Sequence, residues 1–98
     1  MNYAFAIRHV RIRRQVTAAQ LARLSGLSQA SISMIESQAR RPGPTAQAAI
    51  AKALRVPVPL LGLFAAEKDD LNGVSPEAAR TVADQLLDAI ISQGELSS

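Results

Sequence analysis

Residues 17–36 read TAAQLARLSGLSQASISMIE, and this stretch decides the fold. Thr17 is a good helix N-cap, and the AAQLARL that follows is a strong helix former with Leu21 on its inner face. Gly26 supplies the positive φ that a sharp turn requires. Leu27 plugs the elbow, and Ser28 caps a second helix, QASISMIE. Ile32 and Ile35 turn that second helix inward, which leaves Gln29, Ala30, Ser33 and Met34 facing out. A short helix with such side chains outward, pinned at an angle by another helix, can enter the major groove of DNA.

Working outward, residues 3–14 carry Tyr3, Ile7 and Val10 at helical spacing with Ala6 beside them, and Arg8, Arg11, Arg13 and Arg14 ring the rest. Gln15 and Val16 form the connection; with no Gly there, Gln15 is expected to take a left-handed conformation at some cost. On the other side, SQARRPGP at 37–44 is a loop that sets Arg40 and Arg41 just past the outward-facing helix. Thr45 is predicted to cap a fourth helix over 46–55 that buries Ala46, Ala49, Ile50, Ala53 and Leu54. A short fifth helix over 59–65 closes the core with Leu60, Leu61 and Phe64. Residues 66–74 read as a linker around Asn72-Gly73. Ser75-Pro76-Glu77 then starts a helix expected to run to residue 92 or 93 and to stop at Gly94. Its apolar residues form doubled columns, Ala78/Ala79, Val82/Ala83, Leu86/Leu87 and Ile90/Ile91, a wider band than one neighbour can cover. Packing on its own domain and on a second copy would together cover it.

Charge is divided along the chain. Residues 1–65 hold nine basic side chains against one acid, Glu36, a formal +8, whereas residues 66–98 hold two against seven, a formal −5. A basic body of that size attracts a polyanion. The aromatic residues are only Tyr3, Phe5 and Phe64, so the core is aliphatic, as in small helix bundles. There is no cysteine, hence no disulfide and no thiolate metal site. No apolar run approaches the ~20 residues of a membrane span. In MNYAFAIRHVRIRR the charges follow the apolar residues, the wrong order for a secretory signal, so a cytoplasmic protein is expected.

By residue 36 a resemblance is specific enough to name. Ile7-Arg8, Val10-Arg11, Thr17, Leu21-Ala22, Gly26-Leu27-Ser28-Gln29, Ile32-Ser33, Ile35-Glu36, Pro42 and Ile50-Ala51-Lys52-Ala53-Leu54-Arg55-Val56 keep the pattern and spacing of the lambda-repressor/Cro-like, or xenobiotic-response-element, helix-turn-helix family. The chain resembles that family over about residues 4–65. It departs at Gln15 and Gln38, where the family commonly has Gly, and at Ala18, where it often has Gln or another polar side chain that braces the residue at Gln29. The resemblance implies an all-α, five-helix DNA-binding domain at 1–66; it says nothing of the last third, where the residues themselves read as a linker and a C-terminal amphipathic dimerisation helix within 67–98. It implies sequence-specific binding of double-stranded DNA as a homodimer, usually for repression. It also implies that Gln29 contacts a base, with Ala30, Ser33 and Met34 at or near the groove, and that Arg11 and Glu36 form a structural ion pair. The side-chain chemistry agrees, since a Gln amide bonds adenine N6 and N7 together and Ala or Met packs on a thymine methyl. Thr17, Ser28, Ser33, Arg40, Arg41, Arg13 and Arg14 are the expected backbone contacts, and Val82, Leu86, Leu87, Ile90 and Ile91 the expected dimer contacts.

Other readings carry less. His9, the lone histidine, is expected solvated or phosphate-facing rather than a pH switch, and Asp84 and Asp88 are expected on a solvated face rather than around a metal. No glycine-rich phosphate loop, nucleophile–base pair or metal set appears, so neither an enzyme nor a cofactor is expected. The rival to a homodimeric repressor of a bacterial, phage or mobile-element operator is an antitoxin or partner-controlled regulator whose C-terminal helix binds another protein.

Overall fold

The computed structural model describes residues 1–96. Helices α1 (Tyr3–Arg13), α2 (Ala18–Ser25), α3 (Gln29–Glu36), α4 (Pro44–Leu54), α5 (Val58–Ala65) and α6 (Pro76–Leu96) follow in order, with one 3-10 turn at Lys68–Asp70 and no strand among the described residues. Local chemistry sets most of the boundaries. The Asn2 side chain caps α1 by accepting from the Phe5 amide. Thr17 and Gln20 form a reciprocal capping box at the start of α2. Gly26 ends α2 at φ 76°, and Ser28 caps α3 through the Ser31 amide.

Two turns are made by glutamines. Gln15 has φ 58° and Gln38 has φ 68°, the two places where the resembled pattern carries Gly. A left-handed side-chain residue costs roughly 1–2 kcal/mol, and local hydrogen bonds across each turn hold it there. Val16 donates to the Arg11 carbonyl while Arg11 Nη1 donates back to the Val16 carbonyl, and Arg40 donates to the Met34 carbonyl beyond Gln38.

The core is aliphatic apart from Phe64, which is fully buried with Ile7, Val10, Leu21, Ile32, Ile50, Leu54, Leu61 and Leu87. Helix α1 packs on α3, α4 and α5, α2 packs on α3 and α4, and α6 lies against α5. Three sequence expectations need correction. The fourth helix starts at Pro44 behind a Gly43 cap, not at a Thr45 cap, because a proline's fixed φ suits the first turn of a helix. Its fully buried side chains are Ile50, Ala51 and Leu54, with Ala46, Ala49 and Ala53 only half-buried, so the inner face is turned toward Ala51. The last helix passes through Gly94 to Leu96; Gly94 is not left-handed, and a glycine weakens a helix without ending it.

Helix α6 divides its two apolar columns. Ala79, Ala83 and Leu87 are buried, Ile90 and Ile91 half-buried, while Val82 and Leu86 are each 49% exposed. A third flank meets α1 in parallel and in step, at a constant separation of 75 residues. The Arg80 guanidinium sits over the Phe5 ring at 4.3 Å, His9 Nε2 meets Asp84 at 2.9 Å, and Arg13 pairs with Asp88. His9 also stacks on Phe5, with ring centroids 5.4 Å apart, and meets the tilted Phe64 ring at 4.9 Å. The expectation of a solvated His9 and Asp84 is thus corrected, both being partly covered, while Asp88 is exposed as expected but paired with Arg13: a helix distant in sequence brings these groups together, which no local pattern shows.

Candidate nucleic-acid interface

The outward face of α3 is as its inner residues dictate. Ile32 and Ile35 are buried, and Gln29, Ala30, Ser33 and Met34 are exposed, Met34 at 38%. The angle of α3 is fixed by a two-pronged ion pair. Arg11 Nε donates to one Glu36 oxygen at 2.8 Å and Nη2 to the other at 2.9 Å, with the two side chains only 15% and 12% exposed. Since Nη1 also holds the Val16 carbonyl at 3.0 Å, one guanidinium ties α1 to α3 and to the turn before α2. Glu36 is thereby fully engaged in positioning the recognition face.

Around that face stand Thr17, Ser28, Arg40 and Arg41, all exposed. The Thr17 and Ser28 hydroxyls first serve their helix caps, Ser28 also donating to Ser31 Oγ at 2.9 Å. Arg40 folds back along α3, with Nη1 3.4 Å from Ser31 Oγ. Sequence reasoning did not find that contact, because it depends on the left-handed Gln38.

Two of the arginines expected at phosphates are placed elsewhere. Arg13 is bound to Asp84 at 3.0 Å and to Asp88, both on α6, and Arg14 Nε donates to the Leu54 carbonyl at 3.1 Å. Both corrections have one cause: at the C-terminal end of α1 these side chains project toward α6 and α4, not toward the α3 side. Leu87, expected at a dimer contact, is wholly buried in the chain's own core and cannot meet a partner. Val82 and Leu86 remain outward, and Ile90 and Ile91 are half-covered.

Among the described residues there is no group of three metal-ligating side chains, and no single helix is long and apolar enough to cross a membrane. A family profile described as a helix-turn-helix domain matches residues 3–64, which spans α1 to nearly the end of α5. No curated protein and no solved structure matches the chain.

Proposed function

The chain belongs to the helix-turn-helix domain family, of the Cro/lambda-repressor-like type, and from that premise we propose that this DNA-binding regulator is a sequence-specific repressor acting as a homodimer on an inverted-repeat operator. The operator is bacterial, phage or mobile-element DNA, and the protein works in the cytoplasm, without catalysis or cofactor. The observation that carries the reading is the α3 face: Gln29, Ala30, Ser33 and Met34 exposed on a helix whose inner side is buried and whose angle is locked by Arg11–Glu36. Gln29 reads a base edge, the three smaller or apolar neighbours sit in the groove, and Arg40 and Arg41 hold phosphates and set register.

The homodimer rests on the outer flank of α6. From Ala78 to Ser92 its exposed residues are uncharged except Asp88, and Asp88 is paired with Arg13 on the α1 flank. Ala78, Val82, Gln85, Leu86 and Ala89 therefore form a charge-free strip over more than three turns. In a two-fold contact a residue near the axis meets its own copy, so any charge there would face its like. A strip without charge satisfies that condition.

Selection of bound duplexes from a random DNA pool, followed by mobility-shift titration, tests the whole reading. Inverted repeats with half-sites about one helical turn, ~34 Å, apart are expected. Gln29→Ala is expected to cost roughly 1–3 kcal/mol and to relax preference at one base pair, while Arg40→Ala or Arg41→Ala weakens binding to all sequences alike. Recovery of no preferred sequence, or an unaltered preference after Gln29→Ala, overturns it. A stable complex with a co-expressed protein in place of the dimer would favour the antitoxin-like reading.

A further inference from the structure

Three arginines lie on α1 and a fourth, Arg14, is its C-cap, and three of the four have partners: Arg11 holds Glu36 and Val16, Arg13 holds α6, and Arg14 holds the end of α4. Arg8 alone has no hydrogen bond or ion pair among the described residues, and it is exposed. It stands at the rim of a shallow depression of about 320 Å³, whose other walls are Ala18 of α2 and Gln29, Ser33, Glu36 and Ser37 of the α3 side. The depression adjoins the proposed base-reading residue itself. Ala18, with only a methyl group, leaves the space beside Gln29 unfilled.

The electrostatics of this hollow follow from who is already paired. Both oxygens of Glu36 accept from Arg11, so that pair contributes no net charge and cannot neutralise Arg8. What remains is one unpaired guanidinium beside the exposed Ser33 hydroxyl; Ser37, also exposed, already donates its hydroxyl proton to the Met34 carbonyl at 3.1 Å. A guanidinium and one hydroxyl donor at the same open hollow suit an anionic oxygen, and a planar fork suits a phosphodiester in particular. Because the hollow opens beside Gln29, the phosphate it takes belongs to the strand along the groove that α3 enters.

We propose that Arg8 is a DNA-backbone contact: it binds a phosphodiester at the Ala18–Gln29 hollow and so sets the depth of Gln29 in the groove, a task the side chain at position 18 does not perform here. This rests on the DNA-reading function of α3, and the test separates the two. Affinity of the unmodified chain, Arg8→Ala, Arg8→Lys, Arg13→Ala and Gln29→Ala is measured against a duplex selected from a random pool and against a random-sequence duplex, across a salt series. Circular dichroism melts check that each variant is folded. Arg8→Ala is expected to lose about tenfold on both duplexes and to shallow the slope of log affinity against log salt by about 0.9, one phosphate contact. Arg8→Lys keeps the slope and recovers most of the affinity, and Arg13→Ala leaves the slope unchanged. If Gln29→Ala weakens selective binding while Arg8→Ala leaves affinity and slope intact, the Arg8 assignment is wrong and the α3 reading stands. A slope shallowed by Arg13→Ala and not by Arg8→Ala equally overturns it. Failure of the unmodified chain to bind either duplex at low salt removes both.

Discussion

Removing Glu36 is the most informative perturbation of the architecture. The carboxylate is the sole acid of the first 65 residues, and both of its oxygens are filled by Arg11. Glu36→Ala leaves a guanidinium that is 15% exposed with only the Val16 carbonyl as partner. Breaking a buried pair in this way costs roughly 3–5 kcal/mol; the residual exposure puts this one at the lower end, about 3 kcal/mol. That is a large share of the total, since about 0.05–0.15 kcal/mol per residue is usual for a folded chain. The melting temperature should fall by roughly 15 °C, at about 4–8 °C per kcal/mol for a domain of this size. Arg11→Ala should cost a similar amount, because it strands the carboxylate and also frees the Val16 carbonyl. The double variant should cost only about 1 kcal/mol more than either single one, a coupling of about 2 kcal/mol. Replacing both partners together, Arg11→Met with Glu36→Leu, should return to within about 1 kcal/mol of the parent, because no uncompensated charge remains. Urea unfolding followed by circular dichroism reads all five proteins, and raising the salt should change the result little, as the pair is largely shielded from solvent. Additive single costs, with no coupling beyond error, would refute the view that this pair clamps α1 to α3.

The two adjacent leucines of α6 should behave oppositely: Leu87→Ala is expected to lose about 2–4 kcal/mol in urea unfolding at low protein concentration, and Leu86→Ala under about 0.5 kcal/mol; equal losses would contradict the division of the two columns. Leu86→Asp should leave the fold intact and give a monomer by sedimentation, since two carboxylates would meet across the proposed two-fold axis; an undisturbed dimer places the contact elsewhere. Gln15→Gly and Gln38→Gly should each stabilise by roughly 0.5–1 kcal/mol, because the relief of left-handed strain exceeds the added chain entropy of glycine. A loss of stability in both would mean that these side chains hold their turns in some further way.

The sequence alone determined the three helices that matter most, their caps and their inner faces. Period, N-cap chemistry and turn glycine are local properties: Thr17, Gly26 and Ser28 act within four residues of themselves, and Ile32 with Ile35 fixes which side of α3 is left outward. Even the strained Gln15 was legible, because a turn is required there and nothing in the sequence relieves it. What only the tertiary structure decided is the employment of the charges. Arg8, Arg11, Arg13 and Arg14 look alike in a list of basic residues, yet one has no partner among the described residues, one clamps α3, one holds α6 and one ends on the α4 carbonyl. Their fates depend on which distant helix each helical phase happens to meet. Asp84 and Asp88 show the same limit from the other side, a helix about seventy-five residues away supplying partners that no spacing within α6 reveals, and the burial of Leu87 was likewise decided by packing beyond its own helix. Periodicity is set by the backbone of one helix, whereas pairing is set by the meeting of two.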